Sequence, residues 1–281
     1  MKRQAIAAAL ALATMCGVAP AQTPAADPDA ERKADLVTAY KILVNEGILD
    51  SFGHVTVRSA KNPNIFLMPR AMPPSLVTVD DILELNVADS QPIDPKGRRV
   101  NGERYIHGEI YKARPDVMSV IHSHSPAVIP LSLTPHPLRP VVAQGGFLPA
   151  ETPNFEIRDT RGPGDRGMQV TDSKRGAALA RVLAKYPAAL MRGHGEVVVG
   201  SSVKEATVYA AYIDINARAQ TQAMLLSPAG ITRMNEPELF TPEEFDINRP
   251  WEHFKQKTLD EASKSKIDRS QFGLSQTQEK K

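Results

Sequence analysis

The feature that most constrains this chain is a short one, His122-Ser123-His124, at the end of an apolar run. Val117-Met118-Ser119-Val120-Ile121 has the composition of a strand, and Pro115 separates it from the segment before. Side chains two apart on a strand point to the same face, so the two imidazoles emerge side by side and can share one metal ion. The preceding segment reads as a helix over 102–112, with Asn101 as its N-cap and Tyr105, Ile106, Ile110 and Tyr111 on its apolar side. Helix, proline break and histidine-bearing strand form one unit that presents polar chemistry at a strand end.

A metal at that point needs further ligands, and the cysteine count narrows the choice. Cys16 is the only cysteine and lies in a segment unlike the rest. Lys2-Arg3 precede an apolar run from Ala5 to Val18, followed by the small residues Ala19-Pro20-Ala21. That order predicts a signal peptide over 1–21, with an apolar run too short for a permanent anchor, and a periplasmic or secreted destination. The mature chain would then have no thiol, so a metal would rest on histidines and carboxylates. Removing Lys2 and Arg3 leaves 32 basic residues against 32 acidic ones. Such a balance gives bulk electrostatics no hold on nucleic acid.

The remainder reads in order. Residues 22–30 form a linker. An amphipathic helix is predicted over 31–46, with Gly47 closing it. Strands follow at Val55-Thr56-Val57, Ile65 to Met68 and Leu83 to Val87, with a Thr78-capped turn between the last two. A helix over 127–132 and short strands at Pro140 to Ala143 and Phe155 to Ile157 are expected next. Asp172 caps a helix from Ser173 to Lys185; Ala188 to Met191 and Val197 to Val199 are strands, and Ser202 caps a long helix to Leu225. Arg161 to Gly167 reads as a mobile turn. Beyond Ser227 the sequence is polar, and a peripheral extension over 227–281 is expected.

Between the two late strands stands Gly193-His194-Gly195, where flanking glycines let the backbone bend sharply and present the ring. His122, His124 and His194 would make a three-imidazole site with an open coordination position. Glu103, in the first turn of the preceding helix, is the candidate acid/base or fourth ligand. His107, one turn on, is expected to pack or orient Glu103. His54 and Arg70 lie at element ends where substrate contacts gather, and His136 and His253 read as surface residues.

Taken together, Gly53-His54-Val55-Thr56-Val57-Arg58, Glu103-x-x-x-His107, Tyr111-x-x-Arg114-Pro115-Asp116, His122-x-His124 and Gly193-His194-Gly195 resemble the class II aldolase/adducin family. The resemblance spans about residues 31–226 and implies an α/β fold: a three-layer α/β/α domain around a central, mainly antiparallel sheet. It implies one divalent metal per subunit on His122, His124 and His194, with zinc the first choice and manganese, iron or cobalt alternatives. It also implies Glu103 as the catalytic acid/base and a homotetramer. Sugar-phosphate aldolases of this family carry Gly-Asn, Thr-Gly and Ser-Ser where this chain has Gly53-His54, Pro69-Arg70-Ala71 and Asn101-Gly102. Those departures argue against a phosphorylated sugar. The chain looks more like the branch that decarboxylates hydroxy-carboxymuconate semialdehydes and dihydroxyphthalates. His54, Arg70, Asn101 and Gly102 then become the expected contacts of a small carboxylic acid. Retro-aldol cleavage of an unphosphorylated substrate, epimerisation and a non-catalytic adducin-like scaffold are the competing readings.

Overall fold

The computed structural model describes residues 27–232, 234, 238–241 and 244–264. The expected signal peptide over 1–21, residues 22–26 and the last 17 residues lie outside them. No helix among the described residues is long and apolar enough to cross a membrane.

Among the described residues seven strands form one sheet: β1 (His54–Arg58), β2 (Ile65–Pro69), β3 (Ile82–Asn86), β4 (Ser119–Ser123), β5 (Asn154–Phe155), β6 (Ala188–Met191) and β7 (Gly195–Gly200). Their order is β3-β2-β1-β4-β7-β6-β5, and every pairing is antiparallel except β5 with β6. The α-helices among the described residues are α1 (Ala30–Asn45), α2 (Arg104–Ala113), α3 (Ile129–Ser132), α4 (Ser173–Leu183), α5 (Val203–Leu226) and α6 (Asn248–Lys264).

Strand alternation splits the core in two. Val55, Val57, Leu67, Ile121 and Val198 face one side, where they pack with Leu36, Tyr40 and Leu43 of α1, Val208 and Ile213 of α5, and Trp251 and Phe254 of α6. Phe66, Met68, Val120, Val197 and Val199 face the other, against Ile106 and Ile110 of α2 and Leu179 and Leu183 of α4. The expected α/β/α layering with a mainly antiparallel sheet is therefore present. Both faces are covered, which is why the central strands are buried from end to end.

Several local expectations shift. Helix α2 starts at Arg104, not Gly102, because the Asn101 side chain accepts from the Glu103 N–H at 2.8 Å and makes a turn first. Strand β4 begins two residues late and takes in His122 and Ser123. No strand forms over 140–143; a 3-10 turn follows at Ala143–Gly145, and another at Ile157–Thr160 shortens β5 to Asn154–Phe155. Helix α3 is one turn, beginning at Ile129.

The polar tail holds the largest revision. Helix α6 seats Trp251 and Phe254, both at least 95% buried, in the core beside α1 and α5. Lys257 adds a 2.8 Å ion pair to Glu46 near the end of α1. Two aromatic side chains suffice to dock a helix whose average composition is hydrophilic. The caps behave as read: Asp172 accepts from the Arg175 N–H at 2.9 Å and Ser202 from the Glu205 N–H at 3.1 Å.

Candidate metal centre

Register brings the first two histidines together. His54 on β1 is directly opposite His122 on β4, on the face toward α2, and their ring centroids are 5.0 Å apart. His124 follows β4 by one residue and returns to the same face, its Nε2 3.2 Å from that of His122. The third ring arrives through the β6–β7 turn. Gly193 has φ +65°, and a Cβ on Gly195 would sit 2.0 Å from the Ser123 carbonyl oxygen. Only glycine at both positions lets His194 swing over the end of β4. Its centroid is 4.8 Å from that of His122 and 5.1 Å from that of His124.

One ligand atom from each of these three imidazoles lies within 4.8 Å of the other two. Tetrahedral coordination with metal–nitrogen bonds of usual length separates ligand nitrogens by about 3.3 Å, close to the His122–His124 spacing. The carbonyl of Glu196 can only accept, so at 2.9 Å it fixes the proton of His122 on Nδ1 and leaves Nε2 as a lone pair. Burial is the first cause of low basicity here. It pulls His122 down to about 3 and His194 to about 4, where the neighbouring His122 adds to the effect and Glu103 opposes it. His54 and His107 are also held well below the usual imidazole range by burial. Neutral, lone-pair-bearing rings at physiological pH suit a divalent cation.

Glu103 completes the cluster. It stands at the start of α2 and is 92% buried; its Oε1 accepts from the Val170 N–H at 2.9 Å. Oε2 is 3.9 Å from His122 Nε2 and 4.0 Å from His54 Nε2, and Oε1 is 3.8 Å from His194 Nε2. One carboxylate thus faces three imidazoles, close enough to ligate the same ion or to exchange a proton with something bound to it.

The other sequence candidates divide. His54 joins the cluster. Asn101 acts on it through the backbone of Glu103, and Gly102 is exposed with open space above its Cα. Arg70, just past β2, donates from Nε to Asp81 at 2.7 Å, and its contacts among the described residues run to Asp81 and not to the histidines. His107 does not orient Glu103: its Nε2 is 2.6 Å from His54 Nδ1 and its Nδ1 2.8 Å from Thr56 Oγ1. His136 and His253 are exposed, as read. Two groups that shape the site left no trace in the sequence, the Val170 N–H and the Glu196 carbonyl. Every residue but proline offers both, so only register reveals which ones matter.

Residues 34–221 match the family model described as the class II aldolase and adducin N-terminal domain. The chain is 36% identical over 203 residues to decarboxylase tropJ of Talaromyces stipitatus, covering 69% of this chain and 76% of that one. It is 30% identical over 201 residues to 3,4-dihydroxyphthalate decarboxylase of a Terrabacter species, covering 69% and 81%. Among solved structures, L-fuculose 1-phosphate aldolase of Glaciozyma antarctica PI12 superposes with a TM-score of 0.65 at 25% identity, covering 87% and 95%.

Proposed function

This chain belongs to the class II aldolase and adducin family, and from that premise we propose that it is a divalent-metal-dependent lyase that decarboxylates a hydroxy or keto carboxylic acid of aromatic or muconic type. The observation that carries the proposal is the convergence of His122, His124 and His194 within ligand distance beside a buried Glu103. A structural scaffold has no use for three neutral imidazoles facing one carboxylate at a strand end. Two relatives at 30% identity or more are named as decarboxylases, which supports this reaction over aldol cleavage.

The three histidines would hold the cation, and zinc is the first choice for a set of neutral nitrogens. When bound, it supplies Lewis-acid stabilisation of the negative charge left on the substrate as CO2 departs. The protein supplies the rest. The Val170 N–H pins Oε1 of Glu103, so Oε2 is the oxygen turned toward a bound substrate. It carries the proton to the carbon that has lost its carboxylate, and a proton from solvent restores it. Burial keeps His122 and His194 uncharged, which leaves Glu103 as the acid/base group of the cluster. Where sugar-phosphate aldolases of the family carry Gly-Asn, Thr-Gly and Ser-Ser, this chain has Gly53-His54, Pro69-Arg70-Ala71 and Asn101-Gly102, which supports an unphosphorylated acid as the substrate.

Retro-aldol cleavage demands the same charge stabilisation and is the second reading, supported by the superposition on an aldolase. Incubating zinc-loaded protein with hydroxyaromatic, phthalic and muconic acids, while measuring CO2 and aldehyde, separates the two. CO2 release without aldehyde is expected; aldehyde release without CO2 would favour the aldolase reading. Glu103→Gln should lower turnover by about a thousandfold while zinc remains bound. A Gln variant with near-normal turnover would remove Glu103 from the mechanism.

A further inference from the structure

The histidine cluster is open on one side. His122 has no exposed side-chain surface and His54 has 4%, whereas His124 and His194 keep 18% and 11%. A molecule that reaches the metal centre from solvent therefore arrives past His124 and His194. Each of those rings has a large apolar neighbour that the core does not take up. Phe52 stands beside His124, with ring centroids 6.4 Å apart and planes tilted by 47°, and is 68% exposed. Leu133 stands over the turn that presents His194. A Cβ on Gly193 would lie 3.2 Å from Leu133 Cδ2, yet Leu133 is 59% exposed.

Hydrogen bonds to the backbone fix both positions. The Asp50 carboxylate accepts from the Phe52 N–H at 2.7 Å, an Asx turn that leads into β1 where His54 pairs with His122. The Ser132 hydroxyl accepts from the Gly193 N–H at 2.9 Å, and the Ser132 carbonyl accepts from the Asn154 side chain at 2.8 Å. Those two bonds fasten the end of α3, and with it Leu133, to the His194 turn. The charged side chain at this rim is also informative. Asp50 Oδ1 is 3.6 Å from His124 Nδ1, and a carboxyl group there gives an incoming carboxylate no anchor. An acid that enters must place its own carboxylate inward, at the cation, and its carbon frame against Phe52 and Leu133.

We infer that Phe52 and Leu133 are specificity-determining residues, two walls of an entrance that holds the ring of a hydroxyaryl carboxylic acid while its carboxylate and hydroxyl oxygens reach the cation. The inference rests on the metal-centre reading and narrows the acids proposed above from aromatic or muconic to aromatic. A flat ring covers both walls at once and makes a ring contact with Phe52. An open-chain acid reaches the metal and leaves more of both walls in water. Apolar walls around a few convergent polar groups are the usual make-up of a small-molecule site. Binding in this way forms and breaks no covalent bond within the acid.

The test uses two probes on the zinc-loaded protein, salicylate and glycolate. Both offer a carboxylate with a neighbouring hydroxyl, and only salicylate has a ring. Calorimetric titration of variant against parent cancels each probe's own preference for zinc. Phe52→Ala should weaken salicylate about tenfold and Leu133→Ala about threefold, with glycolate and zinc affinities within about twofold of the parent. Phe52→Tyr keeps a ring and should recover most of the loss. A salicylate-to-glycolate ratio unchanged by both alanine substitutions would overturn the inference, whether the probes weaken together or not at all. If that unchanged ratio comes with a lower mass in light scattering, a neighbouring subunit covers Phe52 and Leu133 in place of a ring. A protein that releases no CO2 from any acid but shows the expected change in ratio would end the lyase reading and leave this one standing.

Discussion

Glu196 offers the sharpest quantitative test of how this sheet is built. It lies on β7 opposite Ser123, on the face away from His122, and is fully buried. Its Oε1 accepts from the Ser123 hydroxyl at 2.9 Å, while Oε2 has no hydrogen-bond partner among the described residues. The carboxyl is pushed up to about 8, chiefly by burial, with the Ser123 bond opposing the rise and nearby Asp214 adding to it. The folded state therefore wants the neutral acid. A group whose folded pKa is raised stabilises below its unfolded pKa, near 4.5, and that contribution is lost as pH rises toward the folded value. Keeping this carboxyl neutral in the folded chain costs about 4 kcal/mol at pH 8 and under about 1 kcal/mol at pH 5. Gln has the same shape and no charge at either pH. Glu196→Gln should then stabilise the metal-free protein by about 4 kcal/mol at pH 8 and by under about 1 kcal/mol at pH 5. Urea unfolding at the two pH values, followed by the fluorescence of the single tryptophan, buried in α6, measures both differences. Comparing variant with parent cancels every other titrating group. An equal difference at both pH values, or a destabilised variant at pH 8, would refute the reasoning.

Other outcomes follow from the same geometry. Trp251→Ala should cost about 3–5 kcal/mol in denaturant unfolding, because α6 is docked into the core through that ring; a cost under about 1 kcal/mol would detach the tail from the fold. Zinc at a thousandfold excess over its dissociation constant should stabilise the native chain by about 4 kcal/mol, and His194→Ala should abolish most of that gain in thermal unfolding. Light scattering on the protein should give the mass of four subunits, as expected from the family resemblance; a monomer that turns over normally would dismiss the tetramer.

What the sequence determined by itself was the kind of chemistry and the elements that bear it. Strand composition ending in His-x-His, a glycine-flanked histidine between two strands, and Asp172 and Ser202 at helix starts are local patterns. Their meaning depends on spacing along the chain, so they could be read without coordinates. The layered fold was legible through the family resemblance that those motifs carry in their order and spacing. What only the tertiary structure decided was which groups face each other across the sheet. The pairing of His54 with His122, the turn of His107 toward His54 and away from Glu103, and the Val170 N–H on Glu103 all depend on strand register and on a loop closing from 67 residues away. The docking of α6 and the neutral burial of Glu196 were hidden for the same reason. Average polarity describes a segment, whereas burial is set by the few side chains that find a partner surface, and that surface exists only once the sheet has formed.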